Sequence, residues 1–272
     1  MPALQNKVAF ITGLARGQGR SHAIRLAEEG ADVIGVDICA DFDTIPYAMA
    51  GEDDLKETVA AVEALDRRIL TARVDVRDRA ALSSFVADAA AQLGRLDVVV
   101  ANAGISALGT RSEDDDAVWQ DVLQTNLTGV YNTVRAALPA MIAAGKGGSI
   151  VLTSSTAGLV GLTLDTVGGY AYTAAKHGVV GLMRGFARDL AQHSIRVNTV
   201  HPTGVATDMI LNPAVEQLMA AKPAAVATLQ NLLPVQMVDP VDISNAIVWL
   251  ASDQARYVTG VTLPVDAGFT IK

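Results

Sequence analysis

Tyr172 and Lys176 stand four residues apart at the start of a segment, Tyr172–His193, whose apolar residues recur at helical spacing. Both side chains therefore project from one face of a helix, one turn apart. A tyrosine has an ordinary pKa of about 10, and making it a base near neutral pH takes about 4 kcal/mol of preferential stabilisation of the phenolate. A fixed ammonium beside it acts in the right direction. A solvated helix face also produces this pair, so further groups must be found. Two hydroxyls are candidates, because Ser154 and Ser155 stand where the apolar run Ser149–Ser154 ends. A second phenol, Tyr170, has no lysine four positions on and suits a pocket wall better than a base.

A second constellation lies near the start of the chain. Gly13, Gly17 and Gly19 follow the apolar run Val8–Thr12 directly, with Arg16 and Gln18 between them, and lead into the helical segment Arg20–Glu29. Glycines let a backbone turn tightly and approach a pyrophosphate, while a helix N-terminus offers unpaired N–H groups. The spacing is Gly-x3-Gly-x-Gly rather than the better-known Gly-x-Gly-x-x-Gly, and a tight turn without a ligand is the alternative. Asp37, followed by Ile38, ends the second apolar run 18 residues after Gly19. A carboxylate there can accept both ribose hydroxyls of an adenosine and would repel a 2′-phosphate, which favours NAD over NADP. Arg16 is the one feature that softens this preference, and Asp37 could instead merely start a loop. Asp75 with Val76, and Asn102-Ala103-Gly104, end the next two runs and reach the same edge. Asp75 serves equally well as a cap for a helix Asp78–Leu93, and Asn102 as a link between strands.

Those residues need elements to hold them. Strand-like runs recur at Val8–Thr12, Asp32–Asp37, Ile69–Asp75, Leu96–Asn102, Ser149–Ser154, Arg196–Val200 and Val261–Val265. Helical periodicity occupies Arg20–Glu29, Leu55–Leu65, Ala80–Leu93, Ala117–Ala143, Tyr172–His193 and Val241–Ala251. Strand and helix thus alternate throughout, which requires a Rossmann-type, doubly wound parallel sheet with helices on both faces, in a single domain. Two stretches interrupt the rhythm. Residues 38–53 form an acidic insert, with plain disorder as the alternative; residues 203–237 carry Pro213, Pro223 and Pro234 around a short helix, Gln217–Ala227, and suit a cover over a pocket.

Composition narrows the partners. The charge is 21 − 29 = −8, with no Lys/Arg run to meet a phosphate backbone or an anionic membrane, so nucleic acid and membrane are not expected. The uncharged stretch Gly147–Leu164 is too rich in Gly and Ser/Thr to span a bilayer, and the first residues lack a signal-peptide core; a cytoplasmic enzyme fits both. Cys39 is the only cysteine, so no internal disulfide forms, and it has no metal partner in sequence; no metal is expected. His22, His177 and His193 read as ordinary helix residues and His201 as a packing or strand-end residue.

Taken together, the glycine loop, Asn102-Ala103-Gly104, Ser154-Ser155 and Tyr172-x3-Lys176 resemble the short-chain dehydrogenase/reductase family over essentially the whole chain, each motif at its expected junction and in the family's order. The resemblance implies a tetrad: Tyr172 as acid/base, Lys176 lowering its pKa and holding the nicotinamide ribose, Ser155 bonding the substrate oxygen, and Asn126 positioning a water that links Lys176 to solvent. The family has about a dozen residues between serine and tyrosine, whereas Ser155 and Tyr172 enclose 16. The extra residues are assigned near Leu162–Val167, with Ser154 as the fallback. His201-Pro202-Thr203-Gly204-Val205-Ala206-Thr207 is similar to the family's Pro-Gly segment, which implies that Pro202, Val205 and Thr207 contact the nicotinamide, with Thr203 in place of a common glycine. The insert after Asp37, Leu152–Gly158, Tyr172–Arg184 and His201-Pro202-Thr203 look like the carveol dehydrogenase-like, mycofactocin-associated branch. That branch implies a secondary alcohol such as a cyclic terpenol and a firmly held NAD reoxidised by a mycofactocin-type carrier, and the family as a whole implies a homotetramer. An NADP-dependent carbonyl or 3-oxoacyl reductase, and a nucleotide-binding protein without catalysis, are the alternatives.

Overall fold

The computed structural model describes residues 2–110 and 112–272. Its strands are β1 (Val8–Thr12), β2 (Asp32–Asp37), β3 (Ile69–Arg73), β4 (Val98–Ala101), β5 (Gly148–Thr153), β6 (Ile195–Pro202) and β7 (Thr262–Val265). They form one sheet in the order β3-β2-β1-β4-β5-β6-β7, and every neighbouring pair is parallel. The helices are α1 (Gly17–Glu28), α2 (Glu52–Glu63), α3 (Arg79–Leu93), α4 (Asp115–Leu123), α5 (Gly129–Ala144), α6 (Val167–Leu190), α7 (Pro213–Ala221), α8 (Pro223–Val226) and α9 (Pro240–Ala251).

Strands buried on both faces explain the unbroken apolar runs. Phe10, Ile34, Val99 and Ile150 pack against Val86 of α3, Val134 of α5 and Met183 of α6. Ala9, Ile11, Val33 and Val100 face the other way, onto Leu26 of α1, Val62 of α2 and Ile247 of α9. From β1 the chain moves outward through β2 and β3, then crosses back to lay β4 on the opposite side of β1. Strand order reverses there, and the loops leaving the carboxyl ends of β1 and β4 diverge to open a crevice.

Several elements depart from the sequence expectations. The expected helix Ala117–Ala143 is α4 and α5 joined by a π-helical turn, Gln124–Thr128, which holds Asn126. Helix α6 begins at Val167, before Tyr172, because the Thr166 hydroxyl accepts the Gly169 N–H at 3.0 Å and caps it. The expected helix Gln217–Ala227 is two helices: Asn212 caps α7 through the N–H groups of Ala214 and Val215, and Pro223 starts α8. The insert 38–53 is packed rather than disordered. Phe42, Ile45, Tyr47 and Met49 lie against Ile105, Val118 and Trp119, and Thr44 Oγ1 donates to Asp121 at 2.8 Å. Among the described residues no helix is long and apolar enough to cross a membrane.

Candidate active site

Two cavities meet at the carboxyl edge of the sheet. The smaller, about 130 Å³, runs over the glycine loop and is lined by Gly13, Arg16, Gly17, Gln18, Gly19, Asp37, Ile38, Asp75, Val76 and Ala103. The larger, about 600 Å³, contains Ser155, Tyr172, Lys176, Pro202 and Val205 and is walled by α7 and α8. Gln18, Asn102, Gly104 and Thr207 border both. Of the residues expected to catalyse or to bind cofactor, Asn126 is the one that borders neither.

The glycine loop is tight for a measurable reason. Gly13 and Gly17 have φ of +69° and +55°, the left-handed region that favours glycine. A Cβ on Gly19 would sit 1.8 Å from the Gly13 carbonyl oxygen. No side chain caps α1, so the first N–H groups of the helix are left for a ligand. Asp37 accepts the Ala15 N–H at 2.9 Å and the Cys39 N–H at 3.2 Å; burial, partly offset by these bonds, pushes its carboxyl above the usual range. Asn102 Nδ2 donates to the Thr12 and Gly13 carbonyls, so it both links strands and borders the cavities. Asp75 is not the cap of α3, because Asp78 is; Asp75 instead accepts from the backbone and guanidinium of Arg77.

Arg16 lines the same cavity as Asp37, but its guanidinium is already engaged. Its guanidinium bonds the Ala48 carbonyl at 2.6 Å and pairs with Asp208 at 3.0 Å, so it clasps the insert to the segment after β6. Tyr47 was not singled out from the sequence, where its only signal was an aromatic side chain in an acidic insert. Its hydroxyl oxygen accepts the Ser106 N–H at 3.1 Å.

At the catalytic end the choice between serines falls to geometry. Ser154 is buried and donates to the Lys176 carbonyl at 2.9 Å, tying β5 to α6. Ser155 lines the cavity with Tyr172, where it opposes the upward shift of the phenol, and its Oγ accepts the Ala157 N–H at 3.1 Å. Tyr170 is 51% exposed and bonds Asp165, so it is no pocket wall: two residues along a helix turn it to the opposite side from Tyr172. Residues 162–166, where the extra residues are assigned, form the turn before α6, and Leu164 and Asp165 both adopt positive φ there.

Lys176 is buried, donates to the Thr153 carbonyl at 2.8 Å and lies 5.4 Å from the centre of the Tyr172 ring. Burial pushes Tyr172 up to about 12, Ser155 opposing it, and lowers Lys176 to about 8. Desolvation thus works against the charged form of both groups in the chain alone, in opposition to the lowering of the phenol that the resemblance implies for Lys176. Asn126 Oδ1 accepts the Ile105 N–H and its Nδ2 donates to the Ile105 carbonyl, both at 2.8 Å, so its side chain clasps that backbone and keeps one Nδ2 hydrogen uncommitted. It still stands near the lysine, since a Cβ on Gly104 would lie 3.1 Å from Asn126 Oδ1 and 3.7 Å from Lys176 Nζ. His201 is also more than a strand-end residue: it bonds the Ser155 carbonyl. Nothing in the sequence signalled that contact.

Comparison with known proteins agrees with this architecture. Residues 7–216 match the short chain dehydrogenase family. The chain is 54% identical to an uncharacterized oxidoreductase of Mycobacterium tuberculosis, covering 99% of this chain and 98% of that one. It is 48% identical to the (−)-trans-carveol dehydrogenase of Rhodococcus erythropolis over all of both chains. The crystal structure of carveol dehydrogenase from Mycobacterium avium in complex with NAD is similar at a TM-score of 0.92, with 49% identity and full coverage of both. On the site geometry and these matches, the chain belongs to the short-chain dehydrogenase family.

Proposed function

We propose that the protein is an NAD-dependent dehydrogenase that interconverts a secondary alcohol and its ketone. The observation that carries this reading is the convergence of Ser155, Tyr172 and Lys176 on the larger cavity, with the ammonium 5.4 Å from the centre of the phenol ring. The residues present fit a dinucleotide. The uncapped N-terminus of α1 and the close-packed glycines suit a pyrophosphate, and Asp37 suits the adenosine ribose. Gln18 Oε1, Thr125 Oγ1 and Thr153 Oγ1 border the cavities as buried oxygens without a partner, acceptors that a ligand's hydroxyl and amide groups can satisfy.

When bound, NAD supplies the hydride acceptor and a positive charge at the nicotinamide. The chain's own work is proton transfer and orientation. Ser155 bonds the alcohol oxygen, and Tyr172 as phenolate takes the hydroxyl proton while the carbinol hydride departs. Lys176 uses one of its hydrogens on the Thr153 carbonyl, which leaves two for the nicotinamide ribose and the proton relay. Gly13, Arg16, Gly17, Gln18, Gly19, Asp37, Ile38, Asp75, Val76, Asn102, Ala103 and Gly104 hold the adenosine and pyrophosphate, and Pro202, Val205 and Thr207 hold the nicotinamide.

Among the described residues, Lys176 is the only charged side chain bordering the larger cavity, which suits a neutral, lipophilic alcohol such as a cyclic terpenol. That choice is supported by likeness to relatives named for carveol. The Arg16 clasp from the glycine loop to Ala48 and Asp208 supports a firmly held NAD; its reoxidation by a mycofactocin-type carrier rests on the branch resemblance alone. The enzyme is a cytoplasmic homotetramer in this reading; β7 presents an unpaired sheet edge, and Trp249 and Val241 of α9 are exposed beside it. A panel of secondary alcohols, run with NAD and an artificial electron acceptor, tests the activity. Tyr172→Phe should bind NAD as the wild type does and lose turnover by a factor of ~10² to 10⁴. Wild-type turnover in that variant would refute the assignment.

A further inference from the structure

The hydrogen-bond ladder between β5 and β6 stops beside the active site for a chemical reason. Ser154 N–H donates to the Val200 carbonyl at 2.9 Å, and the next donor due from β6 is residue 202. That residue is Pro202, which has no N–H. A side chain makes the next cross-strand bond instead: His201 Nδ1 lies 2.7 Å from the Ser155 carbonyl, which also accepts the Gly158 N–H at 2.9 Å. A carbonyl can only accept, so the proton is on Nδ1. Nε2 of the neutral ring then accepts from the Thr199 hydroxyl at 2.8 Å. The ring is fully buried and both nitrogens are committed.

We propose that His201 is a positioning residue for Ser155: by holding the peptide that follows the serine, it sets where the serine Oγ meets Tyr172 and the substrate oxygen. This rests on the dehydrogenase reading above. Two donors on one carbonyl fix the plane of that peptide, and the Ala157 N–H occupies a lone pair of Oγ at 3.1 Å. The hydroxyl hydrogen is therefore aimed rather than free to rotate. Lys176 and His177 face the ring from α6 and Asp266 from beyond β7. Burial outweighs Asp266 and holds the imidazole down to about 4, so it keeps one tautomer through the working pH range.

The test compares His201→Leu with His201→Asn, whose Nδ2 falls where the imidazole Nδ1 was. Misplacing a reacting group by about 1 Å costs on the order of 10² in rate, so His201→Leu should lower kcat ~10- to 100-fold with KM for NAD and alcohol little changed. It should also move the alkaline-activated limb of the pH profile upward, because Ser155 is what opposes the rise in the Tyr172 pKa. His201→Asn should recover most of kcat and the wild-type limb. If His201→Leu does not fold, Thr199→Val, which removes the donor to Nε2, should shift the limb in the same direction by less. A wild-type kcat and limb in the leucine variant overturn the positioning role, as does an asparagine variant equally slow but with an unshifted limb. A wild type that binds NAD and oxidises no alcohol overturns the dehydrogenase reading itself, and this inference with it.

Discussion

NAD+ binding should pull a proton off Tyr172, and the size of that pull follows from the site. Desolvation, opposed by Ser155, puts the phenol at about 12 before the charge of Lys176 is counted, so making it a base near pH 7 takes about 7 kcal/mol. A charged Lys176 5.4 Å from the ring is worth about 3 kcal/mol at an effective dielectric constant of about 20. About 4 kcal/mol is left for the nicotinamide cation and for the water it displaces. By linkage, NAD+ must then prefer the phenolate over the phenol by about 10³-fold. Its dissociation constant should fall as pH rises from 6 to 9, and binding should release a proton into weak buffer. NADH, without that cation, should show neither effect. Lys176, lowered to about 8, titrates in the same range, so the comparison that isolates the phenol is wild type against Tyr172→Phe. Equal slopes for NAD+ in the two proteins, or equal slopes for NAD+ and NADH in the wild type, would refute the reasoning.

Other consequences are quicker to check. Asp37→Ser removes the acceptor of the Ala15 and Cys39 N–H groups and of the ribose hydroxyls, and should weaken NAD ~10- to 100-fold while bringing NADP within range; initial rates with both cofactors decide it. Gly19→Ala would press a methyl against the Gly13 carbonyl and should abolish tight NAD binding in a titration; wild-type affinity would count against the loop geometry. His22 is buried, bonded to Ser244 and held down to about 3 by desolvation. A histidine with a depressed native pKa stabilises the fold above its unfolded pKa of about 6.5, and that stability is lost as pH falls toward 3, because the unfolded chain takes up the proton first. At pH 5 the loss relative to pH 8 is about 2 kcal/mol. Urea midpoints for wild type and His22→Gln at both pH values should differ in pH sensitivity by this amount; identical sensitivity would argue against it.

The sequence by itself determined the alternation of elements, the parallel doubly wound sheet and the edge at which the chemistry gathers. Those rest on local patterns: apolar runs of strand length, helical periodicity, and glycines where a strand must turn into a helix. The four-residue step from Tyr172 to Lys176 was legible for the same reason, since one turn of helix is a local rule. What the tertiary structure decided was every question about which atom a side chain meets. Ser154 and Ser155 are adjacent and chemically alike; only the approach of α6 gives one to a backbone carbonyl and the other to Tyr172. Asn126 is turned to Ile105 by a π-helical turn that periodicity does not register. Arg16, Tyr47 and His201 act through partners distant in sequence. Spacing likewise reveals the charge beside the phenol, but burial depends on the whole fold, and desolvation acts against that charge.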